Sequence, residues 1–238
     1  MLASEVLPVM LDTVQVNPDD SLQRKMFKDL SGWKYQYDPE TLAPSYFNTW
    51  FYFLEKLAWD ELEGKVPLPR PDEYQLSWLL RRFPHDSIFD IRSTKKTETY
   101  VDLVRQSFSL AADSVRQWGK LHGMPPVWYK FKNTRISHLV PQFHAFSDFD
   151  IPVGGYKHII NACSETEGPS WRLVIQLGDT LSAWGIYPGG QSGNPGSPYY
   201  SSFEDLWAKG NYLRILFLKD ETQAAQMPGG KLVILNNK

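Results

Sequence analysis

Apolar positions in the first half of the chain recur at helical spacing. Phe47, Trp50, Phe51, Leu54, Leu57 and Ala58 follow the i, i+3, i+4, i+7 pattern, with Glu55 and Lys56 on another face. Pro71 is expected to open a second helix. Asp72 and Glu73 fall in its first turn and Arg81 and Arg82 in its last, a charge order that suits the helix dipole. A third stripe runs through Val101, Val104, Phe108, Ala111, Ala112, Val115 and Trp118. Gly123 and the Pro125-Pro126 pair stop it. Asp19-Asp20 before Ser21 reads as a helix start rather than a site.

The period changes in the second half. Trp171, Leu173, Ile175 and Leu177 alternate with Arg172, Val174 and Gln176, which is strand spacing. Gly178-Asp179-Thr180 is a turn, and Ser182 to Tyr187 is the expected antiparallel partner. A Gly/Pro-rich loop runs from Pro188 to Pro198, and Lys231 to Leu235 reads as a last short strand. The pattern predicts an α+β protein with a helical segment over 1–123 and a strand-rich segment over 124–238. The two together form part of one domain, and the stretch 124–150 is irregular and aromatic.

Composition narrows the function classes. The chain has 238 residues, enough for a sizeable core, and nine Trp, which implies extensive packed aromatic surface. Its net charge of −2, with both signs interspersed, gives no footprint for nucleic acid and no basic face for an anionic membrane. No apolar run is long enough to span a bilayer. The first eight residues have neither a positive n-region nor a long apolar h-region, so no signal peptide is expected there. A single cysteine, Cys163, rules out an internal disulfide and a cysteine zinc site.

Familiar catalytic motifs are absent: there is no HExxH, P-loop, GxSxG or GxGxxG. The five histidines include no i, i+4 pair, so no metal is expected. Asp148 and Asp150 would point the same way if their segment were extended. A solvated loop face explains them better than an acid/base pair. The segment with most chemical content is the loop through Gly189, Gly190, Gln191, Ser192, Gly193 and Asn194. Its glycines allow positive φ and close approach, expected at Gly190 and Gly193, and its polar side chains could line an amide-binding pocket. Composition alone favours a plain turning loop.

At this loop the chain resembles a family. Gly168-Pro169-Ser170-Trp171-Arg172, then Tyr187-Pro188-Gly189-Gly190-Gln191-Ser192-Gly193-Asn194-Pro195, then Leu206-Trp207 and Gly210-Asn211-Tyr212, is similar to the end of the β subunit of penicillin acylases. Trp118-Gly119-Lys120-Leu121-His122, Ile136-Ser137-His138-Leu139, Pro152-Val153-Gly154-Gly155, Asn161-Ala162 and Leu30-Ser31-Gly32-Trp33 resemble upstream segments of the same family. The likeness is weak only from Pro67 to Tyr100. Tyr199 stands where the family often has His, and Ile159-Ile160 where it often has Thr-Val, which puts substrate assignment in doubt but not the fold.

The resemblance implies an Ntn-hydrolase fold, of which this chain is the C-terminal portion: an αββα sandwich whose sheets draw strands from both halves of a self-cleaving precursor. It implies hydrolysis of a linear amide by an N-terminal Ser, Thr or Cys that uses its own α-amine as base. A backbone N–H and an Asn side chain hold the oxyanion. Those groups, and any calcium ligands, lie upstream of what is matched here, so no catalytic residue and no cofactor is assigned to this chain. Ser4 is an ordinary serine.

Asn161, Arg172, Gly189, Gly190, Gln191, Ser192 and Asn194 are the candidates for pocket-wall or supporting roles. For Arg172 an ion pair at a strand edge is an equal alternative. The implied partners are the α subunit, the N-terminal part of the β subunit and a small acyl-amide substrate. The implied location is periplasmic or secreted. A non-catalytic binding or structural module that keeps the fold is the alternative reading. The apolar strand faces need cover, and self-association is the favoured source of it.

Overall fold

The computed structural model describes residues 2–63, 66, 68–140, 142–218 and 220–227. They form two compact units, 1–169 and 170–238. The boundary of compact packing therefore lies well after the end of the helical pattern at Gly123. The reason is local: the irregular segment after Gly123 is tied into the first unit. Trp128 N–H donates to Thr41 O at 2.9 Å, and Gly155 N–H donates to Tyr37 O at 2.9 Å.

The first unit is helical. It contains α1 (Leu2–Thr13), α2 (Ser21–Ser31), α3 (Ala43–Ala58), α4 (Glu73–Arg82), α5 (Tyr100–His122) and the short α6 (Trp128–Lys132). The stripes read from sequence bury as expected: Phe47, Trp50, Phe51 and Leu54 of α3 meet Leu103, Val104, Phe108 and Ala111 of α5 in one core. Trp50 anchors that contact. Its ring meets Phe108 edge-on at 4.6 Å, and its indole N–H donates to Val104 O at 3.1 Å and Ser107 Oγ at 3.0 Å. A buried indole keeps its apolar area in the core only if its N–H is satisfied, and here it is.

Helix ends follow the sequence signals with one correction. Asp20 caps α2 by accepting from Leu22 N and Gln23 N, and Gly123 ends α5 in the left-handed region at φ 66°. Pro71 does not open α4. Asp72, in extended backbone, is the cap and accepts from Tyr74 N, so the proline precedes the helix. Asp150 is also not in an extended segment. Its φ is 54°, and it pairs with Lys130 at 2.8 Å, so it does not point the same way as Asp148 by strand alternation.

The second unit contains β1 (Arg172–Gln176), β2 (Ser182–Ile186), α7 (Glu204–Ala208), β3 (Leu213–Ile215) and α8 (Glu221–Gln226). The strands make one antiparallel sheet in the order β1-β2-β3, with Val174 opposite Trp184 and Trp184 opposite Arg214. The expected antiparallel hairpin is thus present. The strand expected at Lys231–Leu235 lies outside the described residues. Helices with an antiparallel sheet make the fold α+β.

Candidate functional site

The glycine loop belongs to the second unit and folds back on residues 199–203. Ser192 N–H donates to Tyr199 O at 3.2 Å, and Phe203 N–H donates to Gly189 O at 2.8 Å. Tyr187 meets the Phe203 ring edge-on at 5.0 Å beneath this crossing. The polar side chains hold the loop's own backbone. Ser192 Oγ accepts from Asn194 N at 3.1 Å, Asn194 Oδ1 accepts from Gly196 N at 3.0 Å, and Ser197 Oγ accepts from Tyr199 N at 3.2 Å. These are the short-range turns that Ser and Asn favour. Gln191 is exposed.

Glycine is required in this loop for two different reasons at adjacent positions. Gly189 adopts φ 87°, the left-handed region, with open space around it. Gly190 has no such φ, but a Cβ there would sit 2.1 Å from Tyr199 O and 2.4 Å from Tyr200 O. Gly193 has neither constraint. The expectation of positive φ at Gly190 and Gly193 is therefore corrected. The strained position is Gly189, Gly190 is needed for close backbone approach, and Gly193 sits in the open.

Arg172 lies on β1. Its guanidinium lies 5.1 Å from the centre of the Trp207 ring and donates to Trp207 O at 2.5 Å. Trp207 is buried on α7, so Arg172 ties the sheet to that helix.

Asn161 belongs to the first unit, in the segment that carries Pro152-Val153-Gly154-Gly155. That segment is held by groups far away in sequence. Lys132 Nζ donates to Val153 O and Gly154 O at 3.0 Å each, and Trp128 Nε1 donates to Gly155 O at 2.8 Å. Both glycines are needed: a Cβ on Gly154 would meet Tyr37 O at 2.5 Å, and one on Gly155 would meet Asn161 O at 2.2 Å. Burial lowers the Lys132 pKa, and the nearby Cys163 opposes that shift.

Around the buried Glu73 lies a polar cluster with no sequence signal. Glu73, 8% exposed, accepts at Oε1 from Tyr156 OH at 2.8 Å and pairs there with Lys157 Nζ at 2.5 Å. Its Oε2 is buried with no hydrogen-bond partner, and His158 Nε2 stands 3.7 Å away. Burial lifts Glu55 to about 7, with the Glu73 charge adding to the rise. Separations of more than 80 residues hid this grouping from any reading of spacing. Among the described residues no group of three His, Cys, Asp or Glu could hold a metal ion, and no helix is long and apolar enough to cross a membrane.

Helices and an antiparallel sheet with a glycine-built loop make an α+β protein. The family is settled by comparison. The penicillin amidase model matches residues 1–224, and the chain belongs to that family, whose fold is that of the Ntn hydrolases. Similar proteins include the acyl-homoserine lactone acylase QuiP of Pseudomonas aeruginosa, 41% identical over 49 residues, covering 21% of this chain and 6% of that protein. The protein of the same name from Pseudomonas syringae pv. tomato is 40% identical over 109 residues, covering 42% of this chain and 12% of its own length. That from Pseudomonas fluorescens strain Pf-5 is 30% identical over 107 residues, with the same two coverages of 42% and 12%. The matched stretch thus spans 12% or less of the length of these relatives.

Proposed function

We propose that this chain is the C-terminal part of an amide-hydrolysing enzyme whose N-terminal nucleophile lies in a preceding part of the same precursor. The match of the penicillin amidase model over residues 1–224 carries this reading. The complete enzyme cleaves a linear acyl-amine bond, with attack by an N-terminal Ser, Thr or Cys and release of the amine and then the acid. The α subunit and the first part of the β subunit supply the nucleophile and the oxyanion donors. This chain supplies helices, strands and supporting loops. The names of the relatives make acyl-homoserine lactones the first substrates to assay, ahead of phenylacetyl and glutaryl amides.

Within that reading the glycine loop is a scaffold more than a row of ligands, since Ser192 and Asn194 already serve its own turns. The test is release of amine from the three acyl classes. The chain alone should show no turnover, because losing a nucleophile that works as a unit with its base costs on the order of a millionfold in rate. The full precursor, once matured, should hydrolyse at least one class. Turnover that scales with the isolated chain and survives Ser4→Ala would overturn the proposal.

A further inference from the structure

A cavity of about 480 Å³ opens in the first unit beside α2, α5 and the turn that follows α5. That volume lies within the range of small-ligand sites. Much of its wall is apolar: Leu22 of α2, Val115 of α5, and Met124, Pro125 and Pro126 of the turn. The charged residues that line it are Lys25, Arg116 and Lys120, all cations. Tyr46 of α3 lines it as well. Tyr46 is 1% exposed, and its hydroxyl has no hydrogen-bond partner among the described residues. An enclosed hydroxyl left this way is a donor in need of an acceptor.

We propose that this cavity binds a small amphipathic carboxylate, its charged end at Lys120 and the Tyr46 hydroxyl and its apolar tail against Leu22, Val115, Met124 and Pro126. An ionised carboxylate only accepts hydrogen bonds, so ammonium groups and a free O–H are its complement. An apolar tail is the complement of the walls, because it removes their surface from water. An alcohol of the same length offers the tail without the charge, and an alkylammonium offers the wrong sign. The inference rests on this cavity and not on the amidase reading, so a failed amidase assay would leave it standing.

The acids nearby are not among the lining residues, and they leave one cation free. Lys25 pairs with Asp29 at 2.8 Å, and Arg116 pairs with Asp20 at 2.6 Å and Asp113 at 2.5 Å. Lys120 is exposed and has no ion-pair partner among the described residues. Burial, with the Asp29 charge adding to it, lifts Tyr46 to about 12, so its hydroxyl keeps the proton it would donate. The C-terminal end of α5 opposes an anion, and Lys120 in its last turn offsets that.

Methyl NMR of the whole chain, labelled at its five methionines, tests this with octanoate. Met124→Leu assigns the signal on the cavity wall, and Met10 and Met26, fully buried in the core, serve as the internal reference. Octanoate should shift the Met124 methyl saturably and leave the reference signals in place. Octanol and octylamine should bind about tenfold more weakly. Lys120→Glu reverses an exposed charge, and Tyr46→Phe removes only a hydroxyl that has no partner. Each should weaken octanoate binding about fivefold. If Tyr46→Phe does not fold, Lys120→Glu alone decides. No saturable shift at Met124 would overturn the proposal. So would octanol or octylamine binding as tightly as octanoate, or unchanged octanoate affinity in the variants that fold.

Discussion

The helical unit buries the apolar faces of α3 and α5, and the strand unit leaves those of β1 in solvent. In α3, Phe47, Trp50 and Leu54 are all fully buried. In β1, Leu173 is 44% exposed, Val174 51% and Ile175 46%, so successive residues on both faces of the strand meet solvent. After β3, Leu216, Phe217 and Leu218 are each about half exposed. Among the described strands only β2 buries residues, namely Ala183, Gly185 and Ile186, and Trp207 of α7 is buried as well. A strand that is apolar on both faces is the pattern of a layer buried on both sides. The first unit has a closed core around α3 and α5, with Trp78, Leu121, Leu139 and Ile160 left outside it. In the second, β1 has the apolar pattern of an interior strand and is exposed on both faces.

The contrast can be sharpened from the closed side first. Trp50→Ala should destabilise the helical unit by roughly 3–5 kcal/mol, because it removes a fully buried ring and orphans its contacts with Phe108, Val104 and Ser107. Chemical denaturation followed by the far-ultraviolet helix signal measures this. A loss below about 1 kcal/mol would mean that the core around α3 and α5 is loose. A smaller effect is expected on the open side, in the glycine loop. Gly190→Val should cost about 1–3 kcal/mol by driving a side chain into Tyr199 O and Tyr200 O. Gly193→Val, in open space, should stay within about 0.5 kcal/mol. Thermal unfolding of the two variants side by side checks the pair. Equal losses would show that the loop does not fold back on residues 199–203.

Much of the fold was legible because its signals are local. The α3 and α5 stripes, the Asp20 cap, the Gly123 stop and the 172–186 hairpin all depend on residues within one element or one turn. Less of the site was legible. The glycine loop was found, but composition could not say which glycine bends and which is crowded, since the crowding comes from Tyr199 and Tyr200. Arg172 could be placed on a strand, but its partner Trp207 lies 35 residues away. The Glu55–Glu73–Tyr156 cluster was not found at all. Each residue alone resembles ordinary surface polarity, and only the packing of α3, α4 and the 152–163 segment brings them together.

The strand unit carries exposed apolar side chains on β1; on the proposed function we infer that the rest of the precursor would cover them in the full enzyme and a second copy would do so in the isolated chain. Sedimentation of the isolated chain at micromolar concentration, with a hydrophobic dye present, tests it most directly. The account predicts either self-association or dye binding, and either should fall when Val174 and Leu173 of β1 are both changed to Lys. A clean monomer that binds no dye would contradict it, and would mean that the chain closes its own apolar surface in solution.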